Sequence, residues 1–355
     1  MSDLRRLFAE VAVPRRTGSN AHARVRAALT RELRQRGFVV LEHQFSVQPP
    51  GRLRGPYLAG GMLAGTTAAV AVLAALPPPN PSAPLAIALG LVLLLWLAAL
   101  IRSSSHPPLP GVNLIAVRPQ TRVKLWLAAH YDSKGQPISM FTRIAAGGLA
   151  LLGVGALGVL AATRLGGTVW HAPAAALVAI PGIVGGVLLL GNRVTDASPG
   201  ALDNATALIT VLSIIDQLPP ETPVGVLLPD AEEFGLLGAR ALVKERANLL
   251  AGTTVLNFDG IDDRGSTICL MHRAGPVSEA VARSLGAKRR RLLPVVVDGW
   301  ELARSAAECV TIMRGDWRTT LLVHTPRDEA SRFTLAGSAA VASGVARELS
   351  KVFLR

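Results

Sequence analysis

The stretch Val224–Ala239, VGVLLPDAEEFGLLGA, decides how the rest of the chain is read. Its first residues are apolar and would suit a buried strand. Asp230, Glu232 and Glu233 follow at once, where adjacent carboxylates repel one another. An acidic surface turn is one explanation. A metal ion held at the end of the strand is another, because a bound dication is then the largest local charge.

Working outward, short apolar runs recur along the polar parts of the chain. FVVLEHQFSV (38–47), NLIAV (113–117), VKLWLAA (123–129), TTVLNF (253–258), CVTIM (309–313) and TTLLV (319–323) all read as strands, as does 223–229. Helical periodicity is expected over 20–36, 203–218, 233–248, 276–286 and 334–353. Strands alternating with helices predict an α/β domain with a mostly parallel central sheet flanked by helices on both faces.

The 355 residues have a hydrophobic fraction of 50%, a mean hydropathy of +0.39 and only 17% charged residues. Four uncharged stretches account for the excess: 57–76, 83–101, 144–163 and 169–191. At 1.5 Å per residue each is long enough to cross a hydrocarbon core of about 30 Å. They form two expected transmembrane hairpins, 50–107 and 138–195. The remaining pieces, 1–49, 108–137 and 196–355, make up one polar domain. Gly61 with Gly65, and Gly182 with Gly186, are small-residue pairs that would let helices approach closely in lipid. Arg52, Arg54, Arg102, Lys134, Arg143 and Arg193 flank the spans on one side, against Arg164 and His171 on the other. The positive-inside rule places the polar domain in the cytoplasm, as part of an integral, multi-pass membrane protein. No cleavable signal is expected, and Cys269 and Cys309 alone offer no disulfide framework. The net charge of +13 includes the run Lys288–Arg291, which has no interleaved aromatic pattern. Attraction to an anionic lipid bilayer is the expectation, and no nucleic-acid partner. Nothing in the sequence addresses the oligomeric state.

The ends of the expected strands concentrate chemistry. The strand 123–129 runs into His130 and Asp132, 223–229 into Glu232 and Glu233, 253–258 into Asp259, and 319–323 into His324. Asp203 opens the helix 203–218. In open α/β sheets the carboxyl ends of the strands share one rim, where ligands bind. Two imidazoles among several carboxylates suit Zn²⁺, with Mn²⁺ or Co²⁺ as lesser candidates. The surplus of acids suggests two ions: Asp203 bridging, His130 and Asp259 completing one site, Glu233 and His324 the other. Two dications, three carboxylates and one hydroxide then sum to zero charge. Glu232 is left free beside the pair, placed to accept a proton from a metal-activated water.

The blocks HYDS (130–133), GALDNA (200–205), DAEEFGLLGA (230–239), NFDG (257–260) and HTPRDE (324–329) resemble the M28 family of co-catalytic zinc peptidases, in the family's order. PRRTGSNAHARVRAALTRELRQRGFVV (14–40) is similar to the family's opening helix. The resemblance covers nearly all of the polar domain and none of the spans. It implies zinc at His130, Asp203 and Asp259 and again at Asp203, Glu233 and His324, with Glu232 as general base and Asp132 orienting His130. It also implies a supporting role for Asp328. One departure is plain: the second hairpin separates His130 from Asp203, where the family has a short loop. Asp262 and Asp263 match no block and are expected in a surface loop. Trp300, Trp317 and Arg314 are candidates for a substrate pocket and equally for a core or interface.

The sequence therefore predicts a membrane-embedded zinc exopeptidase acting on peptides, an aminopeptidase in polarity, working through a metal-bound hydroxide. A non-catalytic scaffold and a glutaminyl cyclase-like acyltransfer enzyme with one zinc are the alternatives. Side-chain preference and physiological substrate are not legible.

Overall fold

The computed structural model describes residues 2–47, 55–77, 90 and 108–353. The chain divides into two compact units, Met1–Val47 with Pro108–Gly135 and Thr195–Arg355, and Gln48–Pro107 with Gln136–Val194.

The first unit is built on a mixed eight-stranded sheet. Its strands are β1 (Val39–Val47), β2 (Leu109–Val117), β3 (Leu125–Ala128), β4 (Val224–Leu228), β5 (Thr254–Ile261), β6 (Ser266–Arg273), β7 (Lys288–Arg290) and β8 (Glu308–Gly315). They lie in the order β1-β2-β4-β3-β5-β8-β6-β7. The centre, β4-β3-β5-β8, is parallel as expected. β1, β2 and β4 pair antiparallel, as do β8 and β6, while the edge strand β7 pairs parallel with β6, so the sheet is mixed on both sides of its parallel centre. Parallel strands need cover on both faces, and alternate residues of β3 show that cover. Leu125, Leu127 and Ala129 join a core with Leu29 and Leu33 of helix Asn20–Gln35, Leu208 and Leu212 of helix Thr206–Gln217, and Val341 and Val345 of helix Ala336–Phe353. Trp126 and Ala128 point the other way, into a core with Ala239, Leu242 and Leu250 of helix Leu237–Leu250. The Trp126 indole donates to the Leu249 carbonyl at 2.9 Å. Gly225 lies in register beside it, where a Cβ would sit 2.4 Å from the ring.

Three elements differ from the sequence reading. Residues 319–323 are no strand: Thr319–Leu321 is a single 3₁₀ turn, and β8 already occupies the sheet position. A run of five apolar residues is too short for periodicity to separate strand from turn, and Thr319 holds this one as a turn by accepting from the Asp316 amide. β6 and β7 are additional to the sequence reading: the apolar run of β6, Ile268–Met271, is only four residues long, and β7 consists of three basic residues with no apolar pattern. Asp262, expected on a surface loop, is buried and accepts from the Thr319 hydroxyl at 2.8 Å. The long excursion after Gly135 begins and ends at a paired neck: Gly135 and Thr195 exchange backbone hydrogen bonds of 2.8 and 2.9 Å.

The second unit contains helices Gly55–Ala75, Met140–Leu165 and Ala172–Leu190, each long and apolar enough to cross a membrane. The expected span 83–101 lies outside the described residues. Within this unit the helix Ala172–Leu190 is the common partner. A Cβ on Gly186 would lie 2.5 Å from the Gly60 carbonyl oxygen, and one on Gly153 would lie 2.2 Å from the Gly182 Cα. Gly182 and Gly186 thus work as the sequence suggests. Gly60 is the counterpart of Gly186, and Gly153 with Thr67 that of Gly182, rather than the Gly61 and Gly65 pair, since a Cβ on Gly61 would meet only the Leu190 tip and the described residues leave Gly65 open.

Gly186→Leu should overpack this seam at a cost of about 1–3 kcal/mol. Gly155→Leu, at an exposed position with no atom of the described residues within 4 Å of its would-be Cβ, should not. Thermal unfolding of the purified chain in detergent would separate the two.

Candidate metal centre

Four loops and the strand β5 deliver the candidate ligands. β3 runs on through Ala129 into His130–Lys134. Asp132 is fully buried, and its two oxygens accept from the amides of Glu232 and Glu233 at 3.1 and 3.2 Å. One of them also lies 3.4 Å from His130 Nδ1. This single carboxylate therefore orients the imidazole and fixes the acidic turn after β4.

That turn is tightly wound. Ala231 and Leu236 have φ of +54° and +62°, around a single 3₁₀ turn at Glu232–Phe234. Left-handed backbone costs a non-glycine residue about 1–2 kcal/mol, so neighbouring bonds must impose it. Asp230 supplies them. Its carboxylate accepts from the Ala231 and Val112 amides and the Thr17 hydroxyl, and lies 2.9 Å from His22 Nε2. Of the three acids in the opening motif, Asp230 is thus a fastening, while Glu233 joins Asp203 and His324 in a candidate ligand group. Gly238 lets the following helix start against it, because a Cβ there would fall 2.1 Å from the Asp230 carbonyl oxygen.

Asp203 lies in an irregular turn, Ala201–Ala205, ahead of helix Thr206–Gln217, and its peptide bond to Asn204 is cis. The Leu202 and Asp203 amides donate to the two oxygens of Asp328 at 2.6 and 3.2 Å. Asn204, next in sequence, donates to the Phe258 carbonyl and accepts from the Gly260 amide. It clamps the backbone on either side of Asp259 within β5. His324 follows the Thr319–Leu321 turn with φ of +68°.

The side chains converge. His130 Nε2 is 3.1 Å from Asp203 Oδ1, while His324 Nε2 is 2.9 Å from both Asp203 Oδ2 and Glu233 Oε1. Two sets bring one ligand atom from each residue within 4.8 Å of one another, His130–Asp203–Asp259 and Asp203–Glu233–His324. They are the only such groups of three or more among the described residues.

The electrostatics demand a counter-charge. Burial, then the charge of Asp203, pushes the Asp259 carboxyl well above the usual carboxylate range. Burial does the same to Glu232, partly relieved by His130 and reinforced by Glu233. Burial would raise Asp203 too, but the two imidazoles hold it well below its ordinary value. Glu233 is likewise held down at about 2, where His324 and Lys134 outweigh burial. Both ring nitrogens of His130 and Glu233 Oε1 are buried, and their polar neighbours at 2.9–3.4 Å are not aligned as hydrogen bonds. Buried polar atoms are seldom left so. Imidazole and carboxylate atoms clustered this way fit a divalent cation of the zinc type.

Three contributors were not found from sequence. Arg15 is completely buried and donates to the carbonyls of Val13, Tyr131, Pro199 and Gly200, strapping the His130 loop to the Asp203 loop. Gly200 is needed there: its φ is +62°, and a Cβ would lie 2.7 Å from Ser133 Cβ. Asp298 is buried with neither oxygen hydrogen-bonded, and burial pushes it up to about 7, eased by His130 and raised further by Asp132. Lys134 pairs with Glu233 at 2.8 Å. None of the three stands in a ligand-like motif. Trp300, Trp317 and Arg314 are not among the gathered groups. Trp300 packs edge-on against His272, Trp317 lies under Arg318, and Arg314 donates to Thr267.

Residues 190–348 match the model of Peptidase family M28. Among curated proteins none matches the chain. Solved structures resemble it over nearly their whole length. A zinc aminopeptidase from Bacillus subtilis has a TM-score of 0.57 at 11% identity, covering 99% of this chain and 95% of its own. A Zn-dependent exopeptidase from Parabacteroides distasonis has a TM-score of 0.56 at 15% identity, with 100% and 98% covered. Glutaminyl cyclase from Porphyromonas gingivalis has a TM-score of 0.56 at 14% identity, with 99% and 96% covered. At such identities the likeness is one of fold.

Asn204→Ala should leave the Phe258 carbonyl and Gly260 amide unpaired, destabilising the chain by about 1–3 kcal/mol. An earlier thermal unfolding transition, together with reduced zinc content after reconstitution, is the expected outcome.

Proposed function

We propose that this M28-family metallopeptidase is a membrane-embedded, zinc-dependent exopeptidase of aminopeptidase polarity. The observation that carries the reading is Asp203, whose two oxygens each face a different imidazole. His130 and Asp259 stand on one side of it and Glu233 and His324 on the other, a donor set suited to two zinc ions with Asp203 between them. Zinc bound there would polarise the scissile carbonyl and ease deprotonation of the attacking water.

The remaining work falls to the chain itself. Glu232 is 8% exposed and carries the acid–base role: it accepts the proton of the attacking water and passes it to the departing amine. Its raised proton affinity suits that exchange, because a carboxylate at its usual value would be a weak base near neutrality. Asp132 keeps Glu232 in place through the backbone amide and holds His130 at the same time. Asp328 does the equivalent for Asp203.

Membrane embedding is supported by three long apolar helices and by the large apolar side chains they leave exposed, among them Leu151 at 76% and Leu177 at 68%. The basic flanks of the spans support a cytoplasmic catalytic domain. Glutaminyl cyclases among the structural neighbours keep a second reading in view, an acyltransfer enzyme with a single zinc.

Glu232→Gln should keep two zinc ions per chain while lowering kcat by about 10²–10⁴-fold, and Asp203→Ala should lose the metal itself. Zinc analysis beside an N-terminal peptide-hydrolysis screen tests both. One ion per chain with cyclisation of N-terminal glutamine would favour the cyclase reading, and wild type without zinc or hydrolysis would end the enzymatic one. The embedding reading expects the chain to stay in the membrane pellet through alkaline and high-salt washes; its release into the supernatant would contradict it.

A further inference from the structure

Lys134 lies on the same loop as His130, four residues further on, and its surroundings leave it little freedom. The backbone before it is fixed by the Ser133 amide donating to the Arg15 carbonyl, and the backbone after it by the Gly135–Thr195 pair. Its side chain is 15% exposed. The ammonium is 2.8 Å from Glu233 Oε2 and donates to the Glu233 backbone carbonyl at 3.3 Å. Both contacts are to one residue. Glu233 Oε1 lies 2.9 Å from His324 Nε2, on the side away from Lys134.

The consequence for the two ligand sets is unequal. In His130–Asp203–Asp259 no lysine or arginine pairs with a ligand among the described residues. In Asp203–Glu233–His324 one carboxylate oxygen is already taken by a fixed positive charge. Only Oε1 is left to a cation, and the charge available to attract it is reduced. Arg15 adds positive potential to both sets, since Asp203 and Glu233 both feel it, but it touches no carboxylate. Lys134 alone discriminates between them.

We propose that Lys134 competes with the second cation for Glu233, so that zinc loads in order: first at His130–Asp203–Asp259, then more weakly at Asp203–Glu233–His324. The inference rests on the zinc-peptidase reading and concerns how that centre fills. A lysine suits such tuning, because its ammonium is a compact charge on a flexible stem and can yield to a dication without unfolding the loop. The fully loaded form then depends on the zinc supply, and a one-ion form persists where zinc is scarce.

The test is zinc titration of the full-length, metal-stripped chain in detergent, read by competition with a chromophoric chelator. Wild type should show two classes of site at least about tenfold apart. His324→Ala should remove the weaker class and leave the tighter one. Lys134→Met should tighten the weaker class by about tenfold, whereas Lys134→Arg, which keeps the charge, should behave as wild type. Thermal unfolding of the metal-free forms checks folding, with Lys134→Gln as a second neutral variant. Two equal classes in wild type, loss of the tighter class in His324→Ala, or unchanged or weakened binding in both neutral variants would overturn the proposal. Zinc binding absent from wild type and all variants alike would instead overturn the metal-centre reading beneath it.

Discussion

Asp203 is the constraint around which the centre is arranged. A single carboxylate can face two imidazoles only if its backbone is held where neither loop alone would put it. Gly200 makes the left-handed turn before it, Asp328 receives the Leu202 and Asp203 amides, and Asn204 ties the next residue to β5 on both sides of Asp259. Each of these bonds serves the position of one side chain. The His130 loop is then drawn to the same point by Arg15, whose buried guanidinium is spent wholly on backbone carbonyls.

The electrostatic cost of the arrangement explains much of its surroundings. Asp132, Asp203, Glu232, Glu233, Asp259 and Asp298 crowd around two imidazoles in a largely buried region. Buried charge is tolerated only when paired or bound to metal. Asp132 and Asp328 are satisfied by backbone amides and so take no share of a cation. Asp203 and Glu233 are stabilised as carboxylates by imidazole and ammonium neighbours, while Asp259, Glu232 and Asp298 are pushed toward the protonated form. The split follows the neighbours: Asp203 and Glu233 lie within 3.1 Å of an imidazole nitrogen and are held ionised, whereas burial dominates at Asp259, Glu232 and Asp298.

Much of the fold was legible because the physics that makes it is local. β1, the central strands β4, β3, β5 and β8, and the helices between them follow from apolar runs and from helical spacing of residues such as Leu208, Leu212 and Ile215. The run Thr319–Val323 misled because its five residues carry no periodicity, so the choice between strand and turn passed to Thr319, Asp316 and Asp262, which meet only in three dimensions. β6 carries only four contiguous apolar residues, Ile268–Met271, too short a run for periodicity to mark it as a strand. Asp262 looked like a surface acid because nothing in its neighbours records that Thr319 would come to cover it.

Residue type, order and hydropathy are properties of the chain, and the sequence by itself determined the α/β class, the apolar segments, the seven residues singled out for metal and catalysis, and the M28 likeness. The tertiary structure alone decided which acids gather with the imidazoles and which bind backbone. Asp230 and Glu232 are two residues apart, yet one faces Thr17 and His22 and the other the centre. Arg15, Asn204, Lys134 and Asp298 owe their importance to backbone groups and charges brought from up to nearly two hundred residues away. Coulomb forces and hydrogen bonds act over distances in space, and sequence separation carries no measure of those until the chain has folded.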